Sequence, residues 1–511
     1  MEKEFNLTTA ISYVNGPPHI GHVLEIIIAD VISRYHQIKG DKVHFLTGTD
    51  EHGQKIQDTA TKEGLSSKEL CDQNSKLFKE IYEKIGITYN TFIRTTDFYH
   101  RDKVYDFYER CKQNGDIYLA EYEGWYNPRE EKFVSLHEAT VHDYKDPVTG
   151  DNLVHSKEPS YFFRLKKYQT VVKNFLEENP DFILPRSKGQ DILNRLSNTE
   201  LEDLSISRTS ISWGIPVPDD SDHVFYVWFD ALINYISGGH WPADLHVIGK
   251  DILWFHTTIW LSMLLSAKYP VPKCIYVHDF LNDSEGKKMS KSIGNVIDPN
   301  MLIEKYPVSA IRYYLISNLN YGMDMNFNEA DLIRSHDSEL LEVYGNFISR
   351  VFGLVHKYSQ GKIMYYLVDG NSVLNLDETR ETLEQLMAEI KLQEYINRVM
   401  GLVRVMNVYI NDTHIWSIGK DNHPEDTRSI MDQYKVIGIL LESLYIISHF
   451  IYPVIPDIAE KVFELLGTSR ITIPELTWGN LQPQILSKQK ATLFDIIDKD
   501  AYENRKMKNI K

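Results

Sequence analysis

Two short segments carry side chains suited to holding a nucleoside triphosphate. The first, His19-Ile20-Gly21-His22, follows a strand-like run and begins a helix. The second, Lys288-Met289-Ser290-Lys291-Ser292, lies in a loop rich in glycine and lysine. A helix N-terminus attracts anions, and mobile lysines can stabilise charge that develops on phosphate oxygens. Together the segments indicate chemistry at the α-phosphate of ATP.

The first segment follows a turn, Asn15-Gly16-Pro17-Pro18. His19 and His22 are three residues apart, so both can face one ligand from the same helical turn. Gly21 would let a nucleotide approach the backbone. The alternative is a pair of surface histidines, but a glycine in the first helical turn would then only cost about 1 kcal/mol. For the second segment the alternative is a solvated basic loop.

The order of apolar runs predicts the elements that must position these segments. The apolar pattern predicts a buried strand at Phe5–Tyr13, a helix at His19–Tyr35 and a second strand at Val43–Thr47. This βαβ pattern predicts a parallel sheet. The pattern changes at residues 118–223 and resumes at 224–330, so we expect a sheet domain in two halves, 1–117 and 224–330, around an insertion.

Beyond residue 330 the apolar spacing is helical. Leu340–Tyr358, Leu383–Ile410 and Asp432–Phe450 repeat apolar residues every three or four positions, which predicts a helical bundle over 331–511. The most apolar stretch, Val436–Pro456, is interrupted by charged, histidine and proline residues. It is therefore expected to be a buried helix and not a membrane span.

The composition limits the possible partners. The 511 residues carry a formal net charge of −17, which argues against DNA and indiscriminate nucleic-acid binding but allows a structured RNA at a local patch. The three cysteines are far apart and form no CxxC motif, so we expect reduced thiols. The N-terminus lacks the features of a signal or transit peptide. We therefore expect a cytoplasmic protein.

The two segments match, residue for residue, the HIGH and KMSKS signatures of class I aminoacyl-tRNA synthetases. Four further segments make the chain resemble the methionyl-tRNA synthetase family over nearly its whole length. They are Ala10–Gly16, Gly48–Gly53, Phe225–Ala231 and Gly249–His256. The resemblance implies an α/β fold: a Rossmann-type parallel-sheet catalytic domain with an inserted connective domain, followed by an all-α anticodon-binding bundle.

The resemblance also implies an activity. L-Methionine would react with ATP and Mg²⁺ to give methionyl-adenylate and pyrophosphate, and the methionyl group would pass to the 3′-terminal adenosine of tRNA(Met). The implied catalytic residues are His19, His22, Lys288 and Lys291. The implied ATP-binding residues are His19, Gly21, His22, Gly249, Lys288, Met289, Ser290, Lys291 and Ser292. Positioning and charge stabilisation would carry this chemistry without a side-chain nucleophile.

For methionine, the resemblance assigns Asp50 to the α-ammonium group. The implied side-chain pocket comprises Ile11, Tyr13, Trp228, Ala231, Tyr235, Ile252 and His256, with Asp251 as a further polar anchor. Aromatic walls suit a polarizable thioether, at roughly 0.3–1.5 kcal/mol for each sulfur–ring contact. By residue type alone such aromatic side chains more often belong to an ordinary core, and only the resemblance favours a pocket; a strand-end carboxylate can also satisfy a local turn.

In the helical part, Asn346 and Arg350 are four residues apart on one helix face, and Trp416 follows a helix that ends near Ile410. The resemblance assigns these three residues to the CAU anticodon of tRNA(Met). Stacking on an aromatic ring and hydrogen bonds from Asn and Arg are common ways to bind unstacked bases. A helix cap and a core tryptophan are the structural alternatives.

The chain departs from many relatives in its insertion. No cysteine lies between Cys111 and Cys274, and His137, Glu138, His142 and His155 lack paired spacing, so no structural zinc is expected. The insertion is shorter than the editing domain of the leucine, isoleucine and valine enzymes. The tRNA-binding domain appended to some bacterial relatives is not found here, so we expect a monomer.

Three hypotheses are alternatives to a methionyl-tRNA synthetase. They are a class I synthetase for another amino acid, a tRNA-binding paralogue without catalysis, and a small-molecule nucleotidyltransferase with an HxGH turn. The second signature and the long helical part disfavour the last. The sequence leaves open the organism, the choice between initiator and elongator tRNA, cytosol against organelle, membership of a multi-synthetase complex, and homocysteine editing.

Overall fold

The computed structural model describes residues 3–127, 132–134, 136–146, 149–289, 294–363, 371–418, 430–482, 484–486 and 492–497. The chain divides into two compact units. Unit 1 comprises Met1–Glu4, Asp30–Val43 and Leu281–Lys511, and unit 2 comprises Phe5–Ala29 and His44–Phe280.

The strands and helices are numbered separately in chain order. The strands are β1 Glu4–Thr9, β2 Ser12–Tyr13, β3 Lys42–Asp50, β4 Thr91–Arg94, β5 Ile117–Asn127, β6 Lys132–Val134, β7 Val154–Phe163, β8 Ile183–Leu184, β9 Leu204–Ser205, β10 Ser207–Arg208, β11 Pro216–Val217, β12 Asp220–Phe225, β13 Leu245–Gly249, β14 Ile275–His278, β15 Leu281–Asn282, β16 Met325–Asn326, β17 Lys362–Ile363 and β18 Gln484–Ile485. The helices are α1 Ile20–Lys39, α2 Gln54–Glu63, α3 Ser67–Lys84, α4 Phe98–Gln113, α5 Leu136–Val141, α6 Gln169–Glu178, α7 Arg186–Asn198, α8 Val227–Ala231, α9 Asn234–Ser237, α10 Trp260–Ala267, α11 Pro299–Lys305, α12 Val308–Ser317, α13 Glu329–Ser335, α14 Asn346–Ser359, α15 Asn371–Leu374, α16 Leu376–Ala388, α17 Leu392–Asp412, α18 Ile430–Ile451 and α19 Pro456–Leu465. Short 3-10 turns lie at Leu165–Tyr168, Lys250–Ile252 and Ile473–Glu475, and π-helical turns at Phe255–Ile259 and His336–Gly345.

The main sheet has seven strands in the order β2-β3-β1-β13-β14-β8, with β4 beside β3. The pairs β1–β13, β13–β14, β14–β8, β2–β3 and β3–β4 are parallel. Their continuous apolar stretches suit a sheet that is covered on both faces. The predicted α/β fold with a parallel sheet is therefore confirmed.

Strand order places a topological switch point at β1. After β1 the chain forms β3 and β4 on one side, whereas β13 and β14 lie on the other side. Ligands of such sheets bind outside the carboxyl ends of the strands at the point where the order reverses. The fold thus predicts a site beyond Thr9 of β1 and Gly249 of β13.

The element boundaries differ from the predicted ones near this point. The predicted strand Phe5–Tyr13 is two strands, because β1 pairs with β13 whereas Ser12 and Tyr13 pair with the end of β3. The predicted helix His19–Tyr35 begins at Ile20 and continues to Lys39. The chain therefore changes its neighbouring strand just before the first signature.

The range 118–223 contains a second sheet, with the order β6-β5-β7-β9. β5 and β7 pair antiparallel from Ile117–Phe163 to Tyr126–Val154. β8 also lies within this range, yet it pairs with β14 in the main sheet. A two-residue strand gives no periodic signal, and β8 therefore falls within the range predicted for the insertion.

In unit 1, the regular elements described beyond residue 330 are helices and helical turns, apart from the pair of two-residue strands β17 and β18. α18 is long and apolar enough to cross a membrane by length and composition, but 83% of its most apolar window is buried inside the protein. As predicted for this stretch, it is a core helix of unit 1. The short β17–β18 pair is a departure from the all-α architecture expected there.

Candidate active site

The first signature forms a compact turn at the start of α1. The backbone N–H of His19 donates to His22 Nδ1 over 3.1 Å, and the N–H of Gly21 donates to His19 Nδ1 over 3.1 Å. The two imidazole rings stack with their centroids 3.8 Å apart. A Cβ on Gly21 would come within 2.9 Å of His19 Cε1, so glycine is required for this ring position. Both predicted histidines therefore lie together at a helix N-terminus.

A second group of side chains gathers where β13 and β14 end. His278 Nε2 and Glu25 Oε2 are 2.9 Å apart. Burial raises the pKa of Glu25, although His278 opposes the shift. Burial would lower the pKa of His278, but its pairing with Glu25 outweighs this and raises it. A Cβ on Gly249 would come within 2.8 Å of Asp251 Oδ1, so the absence of a side chain at residue 249 lets the Asp251 carboxylate lie against the backbone there.

Two residues of the predicted methionine pocket, Tyr235 and His256, form an uncharged hydrogen-bonded network with the Ile252 carbonyl. His256 Nδ1 donates to the carbonyl of Ile252 over 3.0 Å, because a carbonyl can only accept. His256 Nε2 is then the acceptor for the Tyr235 hydroxyl, 2.7 Å away. Burial lowers the pKa of His256 to about 4 and raises that of Tyr235. Both side chains are uncharged at neutral pH, and the π-helical turn Phe255–Ile259 presents the histidine.

Aromatic rings surround the hydrogen-bonded pair of Tyr235 and His256. Trp228 stacks on Phe255 at 3.9 Å and meets His256 edge to face at 6.4 Å. Tyr235 packs against Trp260, with centroids 5.9 Å apart. The remaining apolar residues predicted for the pocket belong to the same region of unit 2. Ile11 and Ile252 pack against its core, and Ala231 is buried.

Asp50 ends β3 directly beside Tyr13, its partner in the parallel register with β2. The backbone N–H of Val14 donates to the Asp50 carbonyl over 3.2 Å. The Lys55 ammonium lies 5.5 Å from the centroid of the Tyr13 ring. The structure therefore brings the predicted amine anchor and one predicted pocket wall to the same strand ends. Asp251, predicted as a further polar anchor for methionine, is exposed and lies beside Gly249, and its role stays a prediction.

Several side chains around these residues carry no role predicted from the sequence. Glu25, His278, His100 and Arg94 were not named, and His52 and Asp230 were quoted only as parts of matching segments. His278 ends β14 as Asp50 ends β3, so the rule that ligands meet strand carboxyl ends could have identified it. The others depend on contacts between distant segments.

The second signature begins in unit 1. Lys288 forms a backbone bridge with Asn282, and its carbonyl accepts from Asn295 Nδ2 over 3.3 Å. The Asp283 carboxylate accepts from the backbone of Lys287 over 2.9 Å, which fixes the turn before the signature. Met289 is described as well. Ser290, Lys291 and Ser292 lie outside the described residues.

The three residues predicted to bind the anticodon also belong to unit 1. Asn346 is exposed at the start of α14. Arg350 reaches α17, where it donates to the side chains of Asn407 over 3.2 Å and Asn411 over 2.5 Å. Trp416, just beyond α17, is 42% exposed and stacks with His414 at 5.5 Å. The exposed tryptophan rules out the alternative of a core residue.

Within the described ranges, no three His, Cys, Asp or Glu side chains are grouped so that they could hold a metal ion. His142 and His155 of the insertion are exposed. His137 and Glu138 have side chains outside the described part, and the expectation of no structural zinc therefore stays a prediction. All three cysteines are described and free.

Sequence comparison gives consistent matches. The family model described as "tRNA synthetases class I (M)" matches residues 5–144 and 134–352. The methionine–tRNA ligase of Thermotoga maritima is 37% identical over 97% of this chain and 80% of its own length. That of Rickettsia bellii is 38% identical over 92% of this chain and 94% of its own length.

Solved structures agree with the sequence matches. A Mycobacterium tuberculosis methionyl-tRNA synthetase in complex with methionyl-adenylate superposes with a TM-score of 0.89 at 32% identity, covering 96% of this chain and 100% of the other. The apo form of that enzyme gives 0.83 at 30% identity, covering 97% and 98%. These values extend the similarity from the signatures to the three-dimensional fold.

Proposed function

This chain belongs to the methionine–tRNA ligases of class I, and on that premise we propose that it activates L-methionine with ATP and transfers it to tRNA(Met) for protein synthesis. The methionine carboxylate attacks the α-phosphorus of ATP, and pyrophosphate leaves. The 3′-terminal adenosine of the tRNA then attacks the methionyl-adenylate and releases AMP. The observation that supports this proposal is that the histidine turn, Asp50 and the turn bearing His256 each lie at or after the carboxyl end of a main-sheet strand near the switch point.

The ATP subsite follows from the first signature and the strand ends beside it. His19 and His22, stacked at the N-terminus of α1, offer polar ring atoms to phosphate oxygens that gain charge during the attack. Gly249, at the end of β13, is proposed to bind the nucleoside through its backbone. We propose that Lys288 and Lys291, with Met289, Ser290 and Ser292 of the second signature, also bind ATP. Mg²⁺ enters with ATP as part of the substrate.

The amino-acid subsite selects by charge and shape. Asp50 would pair with the α-ammonium, and the Tyr235–His256 pair offers an uncharged polar contact beside the aromatic walls. A thioether needs no charged partner and gains from aromatic contact. A charged side chain in the same pocket would lose its hydration without compensation. The subsite therefore favours methionine over charged and strongly polar amino acids.

We propose that the partner RNA is a tRNA with a CAU anticodon. Trp416 offers an exposed ring for stacking, and Asn346 and Arg350 offer hydrogen-bond donors. The helices beyond residue 330 would then act as the anticodon-binding bundle and the β6-β5-β7-β9 sheet as the connective insertion. Three free cysteines suit a reducing compartment, and we propose a cytoplasmic monomer that binds neither DNA nor a membrane.

Methionine-dependent ATP–pyrophosphate exchange tests the activation step. We expect exchange with methionine, and at least about tenfold less with leucine, isoleucine or valine at equal concentration, since missing or misplaced contacts in an apolar pocket are worth about 1–3 kcal/mol. Charging of a CAU-anticodon tRNA tests the second step. Faster exchange with another amino acid would overturn the methionine assignment, and no exchange with any amino acid would overturn the ligase activity.

A further inference from the structure

A buried carboxylate with no role in the proposed chemistry lies on the same short helix as two residues of the proposed amino-acid pocket. Asp230 is fully buried, and both of its oxygens have a histidine partner. Oδ2 is 2.6 Å from His52 Nδ1, and Oδ1 is 2.7 Å from His100 Nε2. His100 Nδ1 in turn lies 2.9 Å from the Ser237 hydroxyl. Four side chains thus form one continuous polar chain inside unit 2.

These hydrogen bonds join two parts of the polypeptide that each lie next to predicted pocket residues. Asp230 belongs to α8, the short helix that also holds Trp228 and Ala231. His52 follows Asp50 by two residues, in the loop after β3. The Asp230 carboxylate therefore connects the helix that bears the side-chain wall of the pocket to the loop that directly follows the amine anchor. His100 adds α4 as a third point of attachment.

The physical cost of this arrangement argues that both histidines are essential to it. A buried carboxylate is strongly unfavourable unless it is paired and hydrogen-bonded. Burial would raise the pKa of Asp230, but the two histidines outweigh it and bring the pKa to about 2. The group is therefore an anion at neutral pH. Loss of either donor would leave part of that charge without compensation and release the loop or the helix that the donor holds.

A separate network holds the same loop from its other side. Arg94 donates to both oxygens of Glu51, over 2.6 and 2.9 Å, and ties the loop to β4. The Trp213 indole donates to the Glu51 carbonyl over 2.5 Å. The two residues after Asp50 are therefore both held in place. Glu51 is held by Arg94 and Trp213, and His52 is held by Asp230 of α8.

We propose that Asp230 is a positioning residue that fixes the spacing between the amine anchor Asp50 and the pocket wall formed by Trp228 and Ala231, and so sets the affinity for methionine. The inference rests on the proposed function, because it assumes that both parts touch the same amino acid. Asp230 itself has no contact with substrate in this scheme. It acts through His52 and through its own helix.

The two histidines allow a crossed test, because they donate through different ring nitrogens. An asparagine amide reproduces the position of Nδ1, and a glutamine amide reproduces that of Nε2. His52→Asn and His100→Gln therefore keep the donor, whereas His52→Gln and His100→Asn displace it. The same two replacement residues are thus conservative at one position and disruptive at the other, which controls for size and for loss of the ring.

We expect His52→Asn and His100→Gln to keep the KM for methionine within about threefold of the unaltered enzyme in pyrophosphate exchange. His52→Gln and His100→Asn should raise it by roughly tenfold to a hundredfold, in line with loss of a hydrogen bond to a charged group. The KM for ATP should change less than about twofold in all four variants. A role in stability alone would instead lower kcat in proportion to the folded fraction, with KM unchanged.

Ser237→Ala provides a milder variant that tests the same chain if the histidine variants fold poorly. It removes only the outer contact of His100, and we expect the methionine KM to rise about twofold to fivefold. Equal methionine KM values within each crossed pair, together with an unchanged value for Ser237→Ala, would overturn the positioning role. Failure of the unaltered enzyme to exchange with methionine would refute the proposed function instead, so the two failures are distinguishable.

Discussion

At the residue scale, the activity depends on atoms that have little freedom to move. The ring of His19 accepts from the N–H of Gly21, and it lies where a Cβ on residue 21 would be. His256 holds a single tautomer, because one ring nitrogen faces a carbonyl and the other faces a hydroxyl. Such fixed groups can stabilise a transition state without reorganising during the reaction.

Gly21→Ala should reduce adenylation with the fold intact. The added methyl would displace the His19 ring, and we expect the rate of pyrophosphate exchange to fall about tenfold or more. Gly401→Ala in α17 is the matched control, because nothing lies within 4 Å of its added carbon. That control should keep full activity and gain up to about 1 kcal/mol in stability from helix propensity. Normal exchange by Gly21→Ala would contradict the role of the ring position.

At the element scale, the site is made where strands end and helices begin. β1, β3, β13 and β14 bring their carboxyl ends to one edge of the sheet, and α1 starts from the same edge. In unit 1, α14 and α17 are joined by Arg350 and two asparagines, beside the exposed Trp416. The proposed activation and recognition steps therefore use different elements and can be impaired separately.

Trp416→Ala tests this separation. Loss of one base-stacking contact is worth about 1–3 kcal/mol, so kcat/KM for tRNA charging should fall roughly fivefold to a hundredfold. Methionine-dependent pyrophosphate exchange should stay unchanged. Phe98→Ala, another exposed aromatic residue, serves as the control and should alter neither activity. Equal loss of exchange and charging in Trp416→Ala would argue against an anticodon role.

At the scale of the whole molecule, each unit contains a buried neutral histidine. Burial lowers the pKa of His256 in unit 2 and of His449 in unit 1 to about 4. His449 Nδ1 donates to the Tyr445 carbonyl over 2.8 Å, and its Nε2 accepts from the N–H of Ile471 over 3.1 Å. Protonation would abolish that second bond, so the folded chain resists it.

The lowered pKa of His449 sets the sign of the pH dependence of the free energy of unfolding. Between pH 6.5 and about 4 the unfolded chain binds a proton at His449 that the folded chain excludes, and stability falls as the pH drops. Near pH 5 this residue should contribute a slope of about 1.4 kcal/mol per pH unit. In urea unfolding at pH 7 and pH 5, His449→Gln should show a shallower dependence than the unaltered protein. Identical slopes would show that His449 is already charged in the folded state.

Much of the fold could be predicted because its signals are local. Runs of apolar residues gave the alternation of strands and helices, and helical spacing gave the elements beyond residue 330. Short elements were missed: β8 has only two residues and no period, and its partner β14 begins 91 residues after β8 ends. The break between β1 and β2 was missed for the same reason, since it reflects a change of pairing partner.

The sequence by itself determined the family signatures, the parallel α/β class and most of the residues placed around the pocket, because these depend on residue type and short spacing. Only the tertiary structure decided which side chains meet across the chain. Asp230 contacts His52 and His100 at separations of 178 and 130 residues. Such contacts follow from strand order, which sets the neighbours of each strand end and leaves no periodic trace in the sequence.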